Sequence, residues 1–534
     1  MFLIAVATLV VAACDPSSDS ITGSQDINQQ RVLRRGNGGE PQTLDPAFAE
    51  DVHAFSILSD LYEGLIIEAG DGSLRPGVAG RWDVSPDGRQ YTFYLRQGSV
   101  WSNGEPLTAQ QFVAGFRRVL APGTTSAYAF LFEPIRNYQA VLSGQLPPEE
   151  LGILAIDERT LIIELESPAQ HFPAILAMPI AYPLHPGNGN GARNFRDPKL
   201  FVGNGPYVLE SWSIGEKIRL KKNPKYRNAG AVQIDAVEYL PITDPNSELN
   251  VYRVNELDIT FTVPQGSIAK LRDSQADELY IAPSLGLYYL AFDLSEPPLD
   301  DVRLRQALTM AIDRQALVNV LGRGEQPAFG LVPRGVTNYV SARYRWQFMP
   351  THERQATARD LLEEAGYERN DLLRIRLTYD TGDVHETVAL AVASMWQEVL
   401  GIEVELEKKE WKYFLATRDD RLAWQIMRFS WIGDYNDPAT FTDIFRSDSQ
   451  QNLPGYVNPE YDRLLDEAGE HINRDDRARI MSAAESVLLE DYPIAPLYFY
   501  VSKHLVSSRV HDFENNVLDR HPTQFLRLQQ IDPH

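Results

Sequence analysis

The sequence predicts an α/β protein with mixed sheets, because strand-like segments alternate with amphipathic helices along the chain. The clearest helix covers Asp383 to Leu400, where apolar residues recur at helical spacing and Gly401 ends the pattern. Apolar, strand-like segments at 373–379 and 402–406 lie on either side of it. This succession of strand, helix and strand is typical of α/β domains.

Other elements follow from turn and cap signals. The turn dipeptide Asp87-Gly88 separates strand-like runs at 82–84 and 91–95, which predicts a hairpin. Thr108-Ala-Gln-Gln111 has the spacing of a capping box and predicts the start of a helix. Two further helices, each followed closely by Gly or Pro, are predicted at 356–365 and 475–490.

Composition excludes some classes of function. The 534 residues carry a formal net charge of −23, and such a surface repels the phosphates of nucleic acids. The single cysteine, Cys14, excludes a disulfide within the chain and any zinc site built on several cysteines. Hydrophobic residues make up 43% of the chain and charged residues 23%, as in ordinary globular proteins.

The N-terminal sequence is typical of an export signal. Residues 1–13 are apolar, fewer than the ~20 residues that cross a bilayer, and end in small residues before Cys14. Val11-Ala-Ala-Cys14 resembles the lipobox at which bacterial lipoproteins are cleaved and lipidated, although no Lys or Arg precedes the apolar run. We therefore expect a signal peptide at 1–13, lipidation of Cys14 and a flexible polar tether at 14–33.

No catalytic or cofactor-binding motif is found in the sequence. Gly-x-Ser-x-Gly, His-Glu-x-x-His and Gly-x-x-x-x-Gly-Lys are absent, and the glycine-rich stretch 187–191 lacks the spacing of a dinucleotide-binding loop. The ten histidines are scattered, without metal-ligand spacing on one predicted helix. We therefore expect a binding protein without cofactor, metal or enzymatic activity; a secreted hydrolase is the alternative.

The segment 424–438 combines an apolar strand with charged groups. Trp424 to Ile432 is predicted to be a strand buried on both faces, yet it contains Arg428. A buried guanidinium needs an anion, and Asp434 follows at the exit of the strand. A ligand with an ammonium at one end and a carboxylate at the other would satisfy both charges. A structural Arg–Asp pair without any ligand is an equal alternative.

Short motifs in a fixed order extend over most of the chain. The most specific are Gly433-Asp-Tyr-Asn-Asp-Pro438, Arg428-Phe-Ser-Trp431 and Glu410-Trp-Lys412. Earlier motifs are Glu40-Pro-Gln-Thr-Leu-Asp-Pro46, Asp60-Leu-Tyr-Glu-Gly-Leu65, Trp101-Ser-Asn-Gly104 and Gly203-Asn-Gly-Pro-Tyr207. In sequence and order these motifs resemble the periplasmic oligopeptide-binding proteins of solute-binding protein family 5.

The resemblance implies a periplasmic binding protein of type II, an α/β fold with two hinge-connected lobes and an extra domain specific to the family. The ranges implied are lobe I at 34–63, 186–284 and 501–534, extra domain II at 64–185, and lobe II at 285–500. Such a protein is the exported receptor of an ABC importer. It closes its lobes around a short peptide and delivers the peptide to a membrane permease.

The resemblance also implies a location and partners. We expect a monomer in the periplasm of a Gram-negative bacterium, attached to a membrane only through the lipid on Cys14. Relatives with the same fold bind dipeptides, murein peptides, metal chelates, haem or sugars. Another solute is therefore the alternative to a peptide ligand.

One group of residues matches the positions that hold the amino end of the peptide. Asp434 matches the carboxylate that receives the ammonium, and Tyr128 matches a tyrosine beside it. Glu50 matches an acidic residue on the segment 50–52, whose backbone pairs with the peptide. The backbone from Ser430 to Ile432 would pair with the peptide from the other lobe, an instance of β-strand addition.

Other residues match positions along the rest of the peptide. Arg428 and His385 match residues that meet peptide carboxylates. The residues matched to side-chain pockets and to a hinge-proximal position are Arg418, Trp411, Trp431 and Tyr289. Where well-known members carry a lysine that meets the shortest peptides, this chain has Gly322 followed by Arg323, so the preferred peptide length stays open.

Overall fold

The structure is a computed structural model that describes residues 30–121, 123–188, 192–264, 266–367, 373–419 and 423–529. The predicted signal peptide, Cys14, most of the predicted tether and residues 189–191 of the glycine-rich loop lie outside these residues. The first strand begins at Val32, so it enters the range predicted as tether. Within the described part of the chain, no helix has both the length and the apolar content to cross a membrane.

The strands form an α/β arrangement with mixed sheets, as the sequence predicts. They are β1 (Val32–Gly36), β2 (Ile66–Glu68), β3 (Leu74–Pro76), β4 (Ala79–Val84), β5 (Gln90–Leu95), β6 (Ile153–Ala155), β7 (Thr160–Glu164), β8 (Tyr207–Ser213), β9 (Lys217–Lys222), β10 (Ala236–Leu240), β11 (Leu279–Phe292), β12 (Gln326–Pro327), β13 (Arg374–Asp380), β14 (Glu403–Lys409), β15 (Ile426–Ile432), β16 (Ile494–Leu505), β17 (Val510–His511) and β18 (Arg527–Leu528).

The helices lie between these strands. They are α1 (Val52–Leu61), α2 (Ala109–Leu120), α3 (Tyr138–Leu142), α4 (Phe172–Ile175), α5 (Pro245–Arg253), α6 (Ile268–Ser274), α7 (Val302–Ala311), α8 (Arg314–Leu321), α9 (Thr351–Glu364), α10 (Asp383–Leu400), α11 (Trp411–Asp419), α12 (Ala439–Thr442), α13 (Pro459–Glu470) and α14 (Arg474–Asp491).

Three larger sheets organise the described residues. One has the order β1-β10-β9-β8, with β1 parallel to β10, and another has the antiparallel order β4-β5-β7-β6. The largest has the order β12-β16-β11-β15-β13-β14, in which β13 is parallel to both β14 and β15. Two small antiparallel ladders, β2-β3 and β17-β18, complete the pairing.

The sheets fall into the ranges predicted for different lobes. The β1-β10-β9-β8 sheet lies in the range of lobe I, and the β4-β5-β7-β6 sheet lies in that of extra domain II. The long paired strands β11 and β16 cross the predicted boundaries between lobe I and lobe II. The described residues from Arg31 onward form one compact unit, so the division into lobes stays a prediction.

Local signals in the sequence account for several elements. The predicted hairpin is confirmed by the pairing of β4 with β5, and the capping box of Thr108 and Gln111 begins α2. The bounds of α10 agree with the predicted helix. Helix α9 begins at Thr351, earlier than predicted, because the chain leaves extended geometry directly after Pro350.

One apolar core runs through all three larger sheets and includes Phe93, Leu220 and Leu287. Trp396 of α10 is fully buried in it, and its indole N–H donates to the Leu308 carbonyl at 2.8 Å. This hydrogen bond satisfies the polar end of a large apolar side chain. The core thereby fixes α10 against the sheet that carries β13 and β15.

Candidate functional site

Asp434 is held at the exit of β15 by close backbone packing. The Gly433 N–H donates to the Leu285 carbonyl at 2.7 Å. A Cβ on Gly433 would lie 2.9 Å from Cγ2 of Thr440, so a side chain there would force this packing apart. The Asp434 N–H donates to Oγ1 of Thr440 at 3.3 Å. The position of the carboxylate is therefore set by its neighbours.

The turn after Asp434 is fixed by a shielded ion pair. The guanidinium of Arg477 donates to both carboxylate oxygens of Asp437, at 2.7 and 2.8 Å. Bidentate pairs of this kind are among the strongest side-chain hydrogen bonds. Tyr435 stacks on His171 with ring centroids 5.0 Å apart. Since His171 belongs to the range predicted as domain II, this stack joins that range to the loop of Asp434.

Asp434 lies among polar groups from distant parts of the chain. Its carboxylate interacts with the phenol of Tyr128, which acts to lower the pKa of Asp434. Arg520 donates to the Asp434 carbonyl at 3.1 Å and to the Glu68 carboxylate at 2.9 Å. The pKa of Tyr128 is raised to about 12, first by burial, then by the charge of Asp434, and to a smaller extent by the nearby charge of Glu50. We call these five residues the head group.

The electrostatics of the head group favour a cation. Burial raises the pKa of the Asp434 carboxyl to about 6, while Arg520 and the phenol of Tyr128 act in the lowering direction. At neutral pH the carboxylate is therefore mostly ionised and only partly hydrated. An ammonium placed beside it would recover the lost hydration energy.

One edge of β15 lacks a partner strand over its second half. β11 pairs with β15 along the whole length of β15, whereas β13 pairs with its other edge only at Ile426 and Met427. In the described residues no strand covers that edge from Arg428 to Ile432. The prediction that 424–432 is buried on both faces is therefore wrong at its end, since Ser430 and Ile432 are exposed.

The buried guanidinium of Arg428 finds its anion within the chain. It pairs with the carboxylate of Asp380 at the end of β13. The two strands pair in parallel only as far as Thr378 and Met427, and Asp380 reaches Arg428 just beyond the end of this ladder. The rings of Phe414 and Trp411 lie 5.0 and 6.0 Å from the guanidinium carbon. Of the two alternatives for Arg428, the structure shows the intramolecular ion pair, and a ligand contact stays a prediction.

His385 lies beside this pair in the first turn of α10. Its Nδ1 is 3.2 Å from the hydroxyl of Tyr288, and its Nε2 is 3.9 Å from the Asp380 carboxylate. Burial and then the positive charge of Arg428 lower the pKa of His385, against the opposing effect of Asp380. His385 is therefore neutral at neutral pH. We call Arg428, Asp380 and His385, with the rings around them, the tail group.

The other predicted site residues are placed differently. Trp411 and Arg418 lie on α11, and Trp411 is 50% exposed, so it is available to a ligand. Trp431 is half-buried on β15. Tyr289 is buried in the core against Phe429, with ring centroids 6.0 Å apart, and its side chain reaches neither group. A ligand contact by Tyr289 is thus not supported by this geometry.

Comparison with known proteins identifies the family. The family model described as "Bacterial extracellular solute-binding proteins, family 5 Middle" matches residues 73–452. The chain belongs to this family. Its structural neighbours are periplasmic binding proteins of type II, so the predicted fold is confirmed.

Members of the family that resemble this chain differ in their ligands. The probable deoxycholate-binding periplasmic protein YgiS of Escherichia coli is 36% identical over 92% of both chains. The periplasmic oligopeptide-binding protein OppA of Salmonella typhimurium is 34% identical over 94% of this chain and 93% of its own length. The unliganded open form of the murein tripeptide-binding protein MppA has a TM-score of 0.85 at 34% identity, covering 94% of this chain and 98% of that one.

Sequence reasoning missed several residues that shape the site. Asp380 had a usable signal, because it directly follows the predicted strand 373–379, and carboxyl ends of parallel strands meet at one sheet edge. Arg520 and Glu68 had none, since they pair across 452 positions of the chain. Tyr288 stood next to the predicted Tyr289, and strand alternation alone decides which of the two faces His385.

Proposed function

We propose that this chain binds short peptides between its lobes and delivers them to the membrane permease of an ABC importer. The observation that carries the proposal is the uncovered edge of β15, which leads directly to the Asp434 carboxylate. An extended peptide can pair its backbone along this edge, from Ser430 to Ile432, and place its ammonium at Asp434. The backbone at 50–52 lies at the exposed start of α1 and would pair from the opposite side.

The charges of the head group support a peptide over an anionic solute. Three carboxylates, those of Asp434, Glu50 and Glu68, surround a single guanidinium, that of Arg520. An anion such as deoxycholate would meet net repulsion there, whereas a peptide ammonium would be attracted. The similarity to OppA and MppA supports the same choice.

The mechanism follows from binding alone and needs no catalysis. A peptide held by both lobes makes its full set of contacts only in the closed state, so it shifts the population toward closure. Pairing to the peptide backbone provides affinity without reading every side chain. Trp411, Trp431 and Arg418 then line the pockets for side chains. ATP hydrolysis by separate subunits of the importer would drive release.

The cellular setting is part of the proposal. The apolar N-terminal segment and Cys14 support export to the periplasm and attachment to a membrane through a lipid. The two acyl chains of a diacylated cysteine are enough for stable anchoring. We propose that the receptor acts as a monomer, because a two-lobe cleft is complete within one chain.

Three measurements test the proposal. Denaturing the purified protein should release short peptides that mass spectrometry identifies, and a peptide library incubated with the protein should be recovered uncleaved. Calorimetric titration should show that peptides with a free amino terminus bind at least about tenfold more tightly than their N-acetylated forms. Equal binding of both forms, or release of a steroid or metal chelate only, would refute the peptide assignment.

A further inference from the structure

The tail group contains a cation that is already neutralised. Arg428 is 7% exposed and Asp380 is 5% exposed, and their side chains form an ion pair. A buried pair of this kind presents no net charge to a third group. A ligand carboxylate that approached Arg428 would also meet the like charge of Asp380, which is unfavourable at short range.

The charges around this pair do not restore a free cation at Arg428. His385 is neutral because burial and Arg428 lower its pKa. Arg323 is the other cation that acts on His385, and it pairs with Glu325 at 3.2 Å. Lys503 shares the same Glu325 carboxylate at 3.4 Å. Any excess of positive charge therefore lies at Arg323 and Lys503, beyond the Arg428–Asp380 pair.

The remaining surface of the tail group is apolar and aromatic. Phe414 and Trp411 cover the guanidinium of Arg428, and Tyr288 stacks on His385 with ring centroids 5.7 Å apart. Planar aromatic and guanidinium faces pack well against neutral amides and apolar side chains. These surroundings therefore suit the middle of a peptide better than its terminal carboxylate.

We infer that Asp380 is a specificity-determining residue. Its carboxylate takes the place beside Arg428 that a ligand carboxylate would occupy, so the site selects ligands that present a neutral group to Arg428. The inference rests on the proposed function. The preferred ligands are peptides long enough to carry their terminal carboxylate past Arg428, or peptides whose carboxyl terminus is amidated. Short peptides whose carboxylate ends at Arg428 are disfavoured.

The test compares free-acid and amidated forms of the same peptides, from three to five residues, by calorimetric titration. In Asp380→Asn the guanidinium of Arg428 loses its counter-charge, so at one peptide length the preference for the free acid should rise at least about tenfold. The double variant Asp380→Asn/Arg428→Gln removes both charges and keeps two amides that can hydrogen-bond. This double variant should keep the ratio of free-acid to amide affinity within about threefold of the wild-type ratio at every peptide length.

The controls keep the inference distinct from misfolding and from the proposed function. Glu405→Gln removes an exposed charge from the neighbouring strand β14 and should change no ratio. Thermal melting checks that each variant folds. If Asp380→Asn does not fold, the double variant alone tests the inference. The inference is overturned if the wild type prefers free acids about tenfold and the double variant loses that preference. It is also overturned if Asp380→Asn folds but leaves the acid-to-amide affinity ratio unchanged at every peptide length. Failure of the wild type to bind any peptide instead overturns the proposed function itself.

Discussion

The phenol of Tyr128 and the carboxylate of Asp434 interact, and each shifts the pKa of the other, although the two residues come from the ranges predicted as extra domain II and lobe II. The phenol stabilises the ionised carboxylate in a partly buried position. Arg520 acts in the same direction from the C-terminal segment. The fold itself positions these groups, and groups that are already in place bind a ligand more tightly because less entropy is lost on binding.

We expect the neutral variant Asp434→Asn to bind free-amine peptides about 30- to 1000-fold more weakly, a loss of about 2–4 kcal/mol, because the ammonium loses its buried counter-charge. Calorimetric titration measures the change. N-acetylated peptides should lose little further affinity in this variant. Glu363→Gln, which removes an exposed carboxylate on α9, is the control for net charge. Unchanged affinity in Asp434→Asn would contradict the assignment of the head group.

Peptide affinity should depend on pH through Asp434. Its pKa is raised to about 6 in the unliganded protein, and an ammonium ligand binds the ionised form. Affinity should therefore be full above about pH 7 and fall as pH drops through about 6, by roughly tenfold per unit well below that value. Binding at about pH 5 should release a proton, which titrations in buffers of different ionisation enthalpy detect.

Two variants separate this effect from other titrations. Asp434→Asn should give an affinity that no longer changes between about pH 5 and pH 7. Tyr128→Phe removes a phenol hydroxyl that lowers the pKa of Asp434, so the midpoint of the pH dependence should move upward. A wild-type affinity that is constant over this range would show that Asp434 does not receive the charged end of the ligand.

The sequence predicted some site residues and missed others, because some interactions are local in the chain and others join residues that are far apart in it. Asp434 and Arg428 stand out locally, since charged residues in or beside a buried strand need partners. The actual partner of Arg428 depends on how far β13 extends beside β15, which no local pattern shows. Glu68 and Arg520 join the rest of the head group only in the assembled fold, since they are far from Asp434 along the chain. The fold class follows more readily, because strand and helix periodicities are local.

Two tryptophans should respond differently to truncation. Trp411 is 50% exposed on α11 beside the tail group, so Trp411→Ala should lower affinity for peptides with a large central side chain while the melting temperature changes little. Trp396→Ala empties a fully buried site and should reduce the free energy of unfolding by about 3–5 kcal/mol. Thermal melts and titrations on both variants check the contrast. A destabilised Trp411→Ala would place Trp411 in the core instead of at a ligand pocket.

His504, near the end of β16, is held as an imidazolium by two acceptors. Its Nδ1 donates to the Thr260 carbonyl and its Nε2 donates to the Asp519 carboxylate, each at 2.8 Å. Burial and Arg35 act to lower the pKa of His504, but Asp519 and these hydrogen bonds outweigh them and raise it. His521 also contacts Asp519, at 3.1 Å, yet burial lowers its pKa, so this second ring is neutral.

The two histidines should therefore give opposite pH dependences of stability. The folded pKa of His504 lies above its unfolded value of about 6.5, so its contribution is complete below that pH and is lost as pH rises through the folded value. His504→Gln should cost about 2 kcal/mol near pH 6 and progressively less as pH rises through the folded pKa. For His521→Gln the difference from wild type should instead grow as pH rises toward about 6.5, because wild-type His521 must lose its proton to fold. Urea denaturation across these pH values measures both differences, and a pH-independent difference for His504→Gln would mean that the pKa of His504 is the same in the folded and the unfolded protein.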